Sequence, residues 1–194
     1  VVNHSLLFAD MLTDNASIGE YKYLIIDEAH NLMQSASQYF SASISYSDFI
    51  TFFNSLFNIK KTFQSGLLVN LKTNATKSSF DRSDKELFIS KIESVCVDLQ
   101  EKTSIYEDLF NWVNLEVRLK GDYQKLRVKQ IEKFTSLIEK LEICEKHVEE
   151  LRKSIGFLHH YLENVNSSKF VEHQESMSNL ESILQKIEEY STTL

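Results

Sequence analysis

The chain contains no proline and only four glycines in 194 residues. Without proline nothing in it forces a helix to break, and so little glycine argues against a turn-rich β fold. Cysteine is scarce as well. Cys96 and Cys144 lie far apart, each within a helical pattern, and two thiols cannot build a four-thiolate iron–sulfur site. They read as reduced core thiols of a cytoplasmic protein, because free cysteine behaves as a small buried hydrophobe. Uncharged apolar runs are all too short to cross a bilayer. No basic segment followed by an apolar one opens the chain, so no signal peptide is expected. Positive charge is also short: the net charge of −7 argues against a generally basic nucleic-acid coat while leaving room for a local basic groove. The first residue is not Met, and the chain reads as a piece of a longer protein.

Hydrophobic residues make up 42% and charged residues 25% of the chain, enough for a real core in one domain or one and a half. The most informative stretch is Tyr23-Leu24-Ile25-Ile26-Asp27-Glu28-Ala29-His30-Asn31. An apolar, β-rich run without polar alternation predicts a strand over Lys22–Asp27, covered on both faces. Ligands of open α/β sheets bind beyond the carboxyl ends of such strands, where Asp27 and Glu28 stand. An Asp at that point suits Mg²⁺, which keeps several waters and takes one or two carboxylates. The adjacent Glu28 is placed to polarise an attacking water as a general base. Apolar strands ending in Asp are common, but the whole string of residues is much rarer.

The rest of the chain divides by periodicity. Val1-Val2 reads as a strand end, a short helix follows from about Ser5, and Thr13–Glu20 is loop-like. His30–Phe40 is helical. Ser47 is placed to cap a helix running to about Asn58, with Phe49, Ile50, Phe53 and Leu56 on one face. The aromatic set Phe49, Phe52, Phe53 and Phe57 reads as core. Residues 64–82, rich in Ser, Thr and Asn, read as a loop holding the segment Leu67-Leu68-Val69. Ser83-Asp84-Lys85-Glu86 has the form of a capping box. It opens a long helix whose stripe is Phe88, Ile92, Val95, Leu99, Tyr106, Leu109, Val113 and Val117, with a possible break near Thr103-Ser104. Gly121-Asp122 predicts a turn. Phe134, Leu137, Leu141, Cys144, Val148, Leu151 and Ile155 then alternate steps of three and four, a heptad-like seam. Gly156 is expected to weaken it, leaving a shorter helix over 157–164 and a turn from Asn164 to Ser168. Ser178 and Glu181 form a further capping-box pattern, and Met177, Leu180, Ile183, Leu184 and Ile187 form the last helical face. The expected fold class is mainly α: a helical bundle with a long αα-hairpin attached to a small α/β piece.

Val-Val-Asn-His-Ser-Leu-Leu at 1–7, followed by Leu-Ile-Ile-Asp-Glu-Ala-His-Asn, resembles the DinG branch of the XPD-like superfamily 2 DNA helicases. The match is specific at 1–7 and 23–31. Beyond residue 42 it rests on organisation: a helical insertion, the Arch, follows the Asp-Glu-Ala-His box in that family. The resemblance implies that 1–41 is the C-terminal part of a RecA-like motor domain 1 and 42–194 an Arch-like domain. It implies Mg²⁺ and ATP as cofactors of the parent, with Asp27 in Mg²⁺-ATP binding, Glu28 activating water and His30 linking the nucleotide state to DNA contacts. The family's iron–sulfur cysteines, where present, precede residue 1. The implied partners are ATP and single-stranded DNA, with a monomeric state and no membrane. No Gly-x-x-x-x-Gly-Lys-Ser/Thr phosphate loop occurs in the sequence, so these residues alone are not expected to hydrolyse ATP at a useful rate.

Six basic residues, Arg118, Lys120, Lys125, Arg127, Lys129 and Lys133, stand against only Asp122 and Glu132 between Val117 and Lys133. Lys125, Lys129 and Lys133 share one helix face, and with Tyr123 such a ridge suits a phosphate backbone and a stacked base. A solvated face balancing an acidic protein is the plainer reading of the same residues. His159-His160 has no partner at metal-ligand spacing and reads as surface. Glu139, Glu142, Glu145, Glu149 and Glu150 read as a solvated face. Three alternatives remain open: a non-enzymatic helical interaction module dimerising through the seam, the ATPase module of a DNA exonuclease, and an RNA-directed motor. The last is disfavoured by the absence of a Ser-Ala-Thr motif.

Overall fold

The computed structural model describes residues 1–12, 17–19, 21–39, 43, 45–61, 63–79, 81–118 and 135–193. The chain divides into two compact units, Val1–Ser43 and Ile44–Leu194. The class is mainly α, as the periodicity predicts, with a small two-stranded antiparallel sheet. Among the described residues no helix is long and apolar enough to cross a membrane.

The first unit holds α1 (His4–Leu12), a 3-10 turn at Ala29–Asn31 and α2 (Leu32–Tyr39). Asn3 caps α1: its Oδ1 accepts from the Leu6 amide at 2.8 Å. Leu7 and Phe8 are buried, and so is Asp10, whose Oδ1 accepts from the Ser17 and Ile18 amides at 2.8 and 2.7 Å.

The second unit begins with α3 (Tyr46–Leu56), capped by Ser45 rather than Ser47. Ser45 Oγ accepts from the Asp48 amide and Asp48 Oδ2 accepts from the Ser45 amide, a reciprocal capping box. Two short antiparallel strands follow, β1 (Asn58–Lys60) and β2 (Phe63–Ser65), paired Asn58 to Ser65, Ile59 to Gln64 and Lys60 to Phe63. The region expected to be a loop is instead α4 (Leu67–Lys77). Tertiary burial of Leu68, Leu71 and Ala75 overrides the poor helix propensity of its Thr and Asn residues. Thr73 and Thr76 donate their hydroxyls to the carbonyls four residues back, which leaves the backbone ladder intact.

Helix α5 (Arg82–Arg118) runs 37 residues, about 55 Å, without the break expected near Thr103. The step from Leu99 to Tyr106 skips an apolar position, and Lys102 fills it. Its Nζ lies 2.7 Å from Asp98 and 2.6 Å from Glu150 of the facing helix. Helix α6 (Thr135–Glu163) is likewise continuous. Gly156 sits in its interior without breaking it, because Leu151, Ile155, Leu158 and Leu162 bury on either side. Each such side chain contributes about 1.5–3 kcal/mol by leaving water, more than the roughly 1 kcal/mol a helical glycine costs.

A 3-10 turn at Ser167–Lys169, capped by Asn166, leads to α7 (His173–Thr193). The helix starts five residues before the expected cap, so Ser178 lies inside it. Its first residue, His173, donates Nε2–H to the Leu162 carbonyl at 2.8 Å, satisfying an acceptor in the last turn of α6. Contacts from Phe88–Tyr161 to Tyr106–His147 show that α5 and α6 run antiparallel. The His159–Glu181 and Leu162–His173 contacts do the same for α6 and α7. The seam residues Cys144, Val148, Leu151 and Ile155 are covered by these neighbours within the chain.

Candidate nucleotide-hydrolysis motif

The box at 27–30 is built on a turn. Asp27 Oδ1 accepts from the Glu28 amide at 2.9 Å. Glu28 adopts the left-handed conformation, φ 53° and ψ 40°, and the 3-10 turn Ala29–Asn31 follows at once. A non-glycine residue there costs about 1–2 kcal/mol, and such strain gathers at functional sites. The Asn31 amide closes the turn on the Glu28 carbonyl at 2.8 Å. The reversal brings His30 back over Glu28, with Nδ1 3.2 Å from Oε2, both side chains exposed.

The two motif segments meet. His4, the first residue of α1, donates Nε2–H to the Asp27 carbonyl at 3.2 Å. An open cavity of about 850 Å³ is lined by Asn3, His4, Asp27, Glu28, Asn31 and apolar residues of 1–26. Asp27 and Glu28 are exposed hard-oxygen donors, which fits Mg²⁺, an ion satisfied by one or two carboxylates with water and phosphate. Among the described residues no group of three or more His, Cys, Asp or Glu is placed to hold a metal by itself.

One local expectation fails here. Residues 22–27 form no strand, and Tyr23 and Ile25 are 89% and 94% exposed rather than covered on both faces. A parallel strand takes its hydrogen bonds from neighbouring strands and its burial from the helices over them. The strands among the described residues pair only with each other, at 58–65, and supply neither to this segment.

Of the basic ridge, Arg118 is the last residue of α5, while Lys120, Lys125, Arg127, Lys129 and Lys133 lie outside the described residues, as do Tyr123 and the Gly121-Asp122 turn. His159 and His160 are each within 3.5 Å of one carboxylate, Glu181 and Glu163 respectively. Burial pushes the thiols of Cys96 and Cys144 up to about 11, which keeps them protonated and unreactive. Glu149 is held down to about 2 by the Arg152 hydrogen bond and the Lys153 charge, while Glu139, Glu142 and Glu145 face solvent.

Sequence reasoning passed over one buried polar cluster. Tyr106 donates to His147 Nδ1 at 2.8 Å, and His147 Nε2–H donates to Asp98 at 3.1 Å. Burial raises the Tyr106 phenol far above its usual range and lowers His147, so both are neutral and these donor roles follow. The signal was present: position 147 falls on the same face as Cys144, Val148 and Leu151.

Comparison with protein-family models, with curated proteins and with solved structures gave no match.

Proposed function

We propose that this chain is part of an ATP-dependent motor of the DinG/XPD-like kind that moves along single-stranded DNA in the cytoplasm. In this reading 1–41 carries the Asp-Glu-Ala-His end of motor domain 1, and 42–194 is the helical element that helps enclose or guide the strand. The observation that carries it is the contact of His4 with the Asp27 carbonyl. It joins the two stretches, 1–7 and 23–31, on which the resemblance rests. The acidic pair and His4 line one open cavity.

Magnesium bound with ATP would neutralise charge developing on the phosphates. The residues present have narrower tasks. Asp27 would supply one carboxylate toward the metal, and Glu28 would accept the proton of the attacking water. His30, 3.2 Å from Glu28, would link the nucleotide state to the DNA contacts. The phosphate cradle must come from elsewhere in the motor, since the sequence has no phosphate loop.

The test is the ATPase rate of the longer protein that carries this chain, with no nucleic acid, with single-stranded DNA and with single-stranded RNA. DNA should stimulate hydrolysis, and Glu28→Gln should remove at least a hundredfold of it. Hydrolysis in no condition, or full activity in the variant, would sink the motor reading. The rival interaction module draws little support from the described seam, because Cys144, Val148, Leu151 and Ile155 are already covered within the chain and Leu137 and Leu141 are partly so.

A further inference from the structure

The hairpin of β1 and β2 is small, yet its residues follow neither packing nor turn economy. In the observed register Lys60 stands directly opposite Phe63, so the two side chains share one face. The opposite face carries Ile59, which with Asn58 lines a concavity beside Leu99 and Thr103 of α5. Lys60 and Phe63 are both exposed, Phe63 at 70%, so the face they share looks outward. At the tip Lys61 holds a left-handed conformation, φ 57°, which hairpins ordinarily assign to Asn or Gly. A lysine there gains nothing from packing, being exposed, and adds a second positive charge at the end of β1.

Along the sequence around the hairpin the charge has one sign. From residue 49 to residue 80 the sequence has no Asp or Glu but four lysines, Lys60, Lys61, Lys72 and Lys77, in a chain of net charge −7. Lys72 is taken by Glu93 at 2.7 Å. Among the described residues no ion pair involves Lys60 or Lys61. Two lysines without an ion pair, on the hairpin that carries an exposed ring, match single-stranded nucleic acid: phosphates for the lysines, and a base face for the phenyl.

We propose that the 58–65 hairpin is a contact site for single-stranded DNA, with Phe63 stacking a base and Lys60 and Lys61 holding the flanking phosphates. This rests on the reading of the chain as part of a DNA motor, and adds a site distinct from the basic ridge. The hairpin stands beside Leu99–Thr103, whereas Arg118 is about 22 Å further along α5.

Fluorescence anisotropy of the 194-residue chain with a labelled single strand of about 20 nucleotides tests it. Phe63→Ala should weaken binding roughly tenfold and Phe63→Tyr should retain it, since any aromatic face stacks. Lys60→Gln with Lys61→Gln should reduce the slope of log affinity against log salt by about 1.4, at roughly 0.7 per phosphate contact on a single strand. All these positions are exposed, and circular dichroism of each variant checks that it folds. Unchanged affinity and slope in the variants, or no binding by the wild-type chain, would overturn the hairpin site. So would equal or tighter binding of RNA or duplex DNA. Each of those results leaves the DNA-stimulated ATPase test of Glu28→Gln standing, so the two readings fail separately.

Discussion

His147 is 2% exposed, and its neighbours decide what it can do. Asp98, Lys102 and Tyr106 face it from α5, Glu150 and Cys144 from its own helix, and the Phe53 ring lies 6.0 Å away on α3. Desolvation lowers its pKa, outweighing the attraction of Asp98. The folded chain therefore resists a proton that the unfolded chain accepts below about 6.5. Stability is complete above that pH and falls as pH drops through it toward the folded value. Thermal or urea unfolding at pH 7.5 and 5.5 should differ by up to about 1.4 kcal/mol from this one residue. His147→Gln should flatten that difference; an equal pH dependence in the variant would show that other groups carry it. Nothing in the local sequence announces this cluster beyond the position of residue 147 on the buried face. Glu28 is the converse case: its chemistry is legible in the string Asp-Glu-Ala-His, but its left-handed conformation is not.

Elements expose the difference between two glycines. Gly66 turns β2 into α4 at φ 114°, and an added Cβ would sit 2.5 Å from the Leu56 carbonyl oxygen. Gly66→Ala should therefore destabilise by about 2–3 kcal/mol, from the strained φ and the displaced backbone. Gly156 meets nothing within 4 Å and has helical neighbours. Gly156→Ala should stabilise by about 0.5–1 kcal/mol through helix propensity alone. Opposite shifts of the urea midpoint in the two variants are the check, and shifts of one sign would contradict it. Helices α5 and α6 were legible because their stripes keep the period of a helix for many turns. The stripe also predicted the wrong interruptions. Lys102 bridges the gap at Thr103 electrostatically, and burial on both sides carries α6 through Gly156. Helix α4 was hidden because its Thr and Asn residues resemble a loop until Leu68, Leu71 and Ala75 find their core.

At the scale of the molecule, the two units differ in what they bury. Residues 44–194 share one core in which Phe49, Phe88, Tyr106, Leu151 and Leu180 are fully covered. The first unit buries Leu7 and Phe8 but exposes Val2, Leu24, Tyr23 and Ile25. A chain of 44–194 alone should keep the helical circular dichroism and the cooperative unfolding transition of the whole, with a midpoint within a few degrees. Loss of that transition on removing 1–43 would show that the bundle depends on the first unit.

Helical class, the long α5 and α6 and the acidic string at 27–30 followed from residue order alone, because a helix face and a short motif are local patterns. Packing decided the rest: that His147 belongs inside, that Lys102 bridges Asp98 and Glu150, that 67–77 is a helix, and that Lys60 and Phe63 stand together on an outward face. Each of these depends on which distant residue removes a side chain from water or supplies its hydrogen bond. The segment at 22–27 marks the same boundary from the other side. Its apolar run has the composition of a buried strand, but a strand exists only where a neighbouring strand pairs with it.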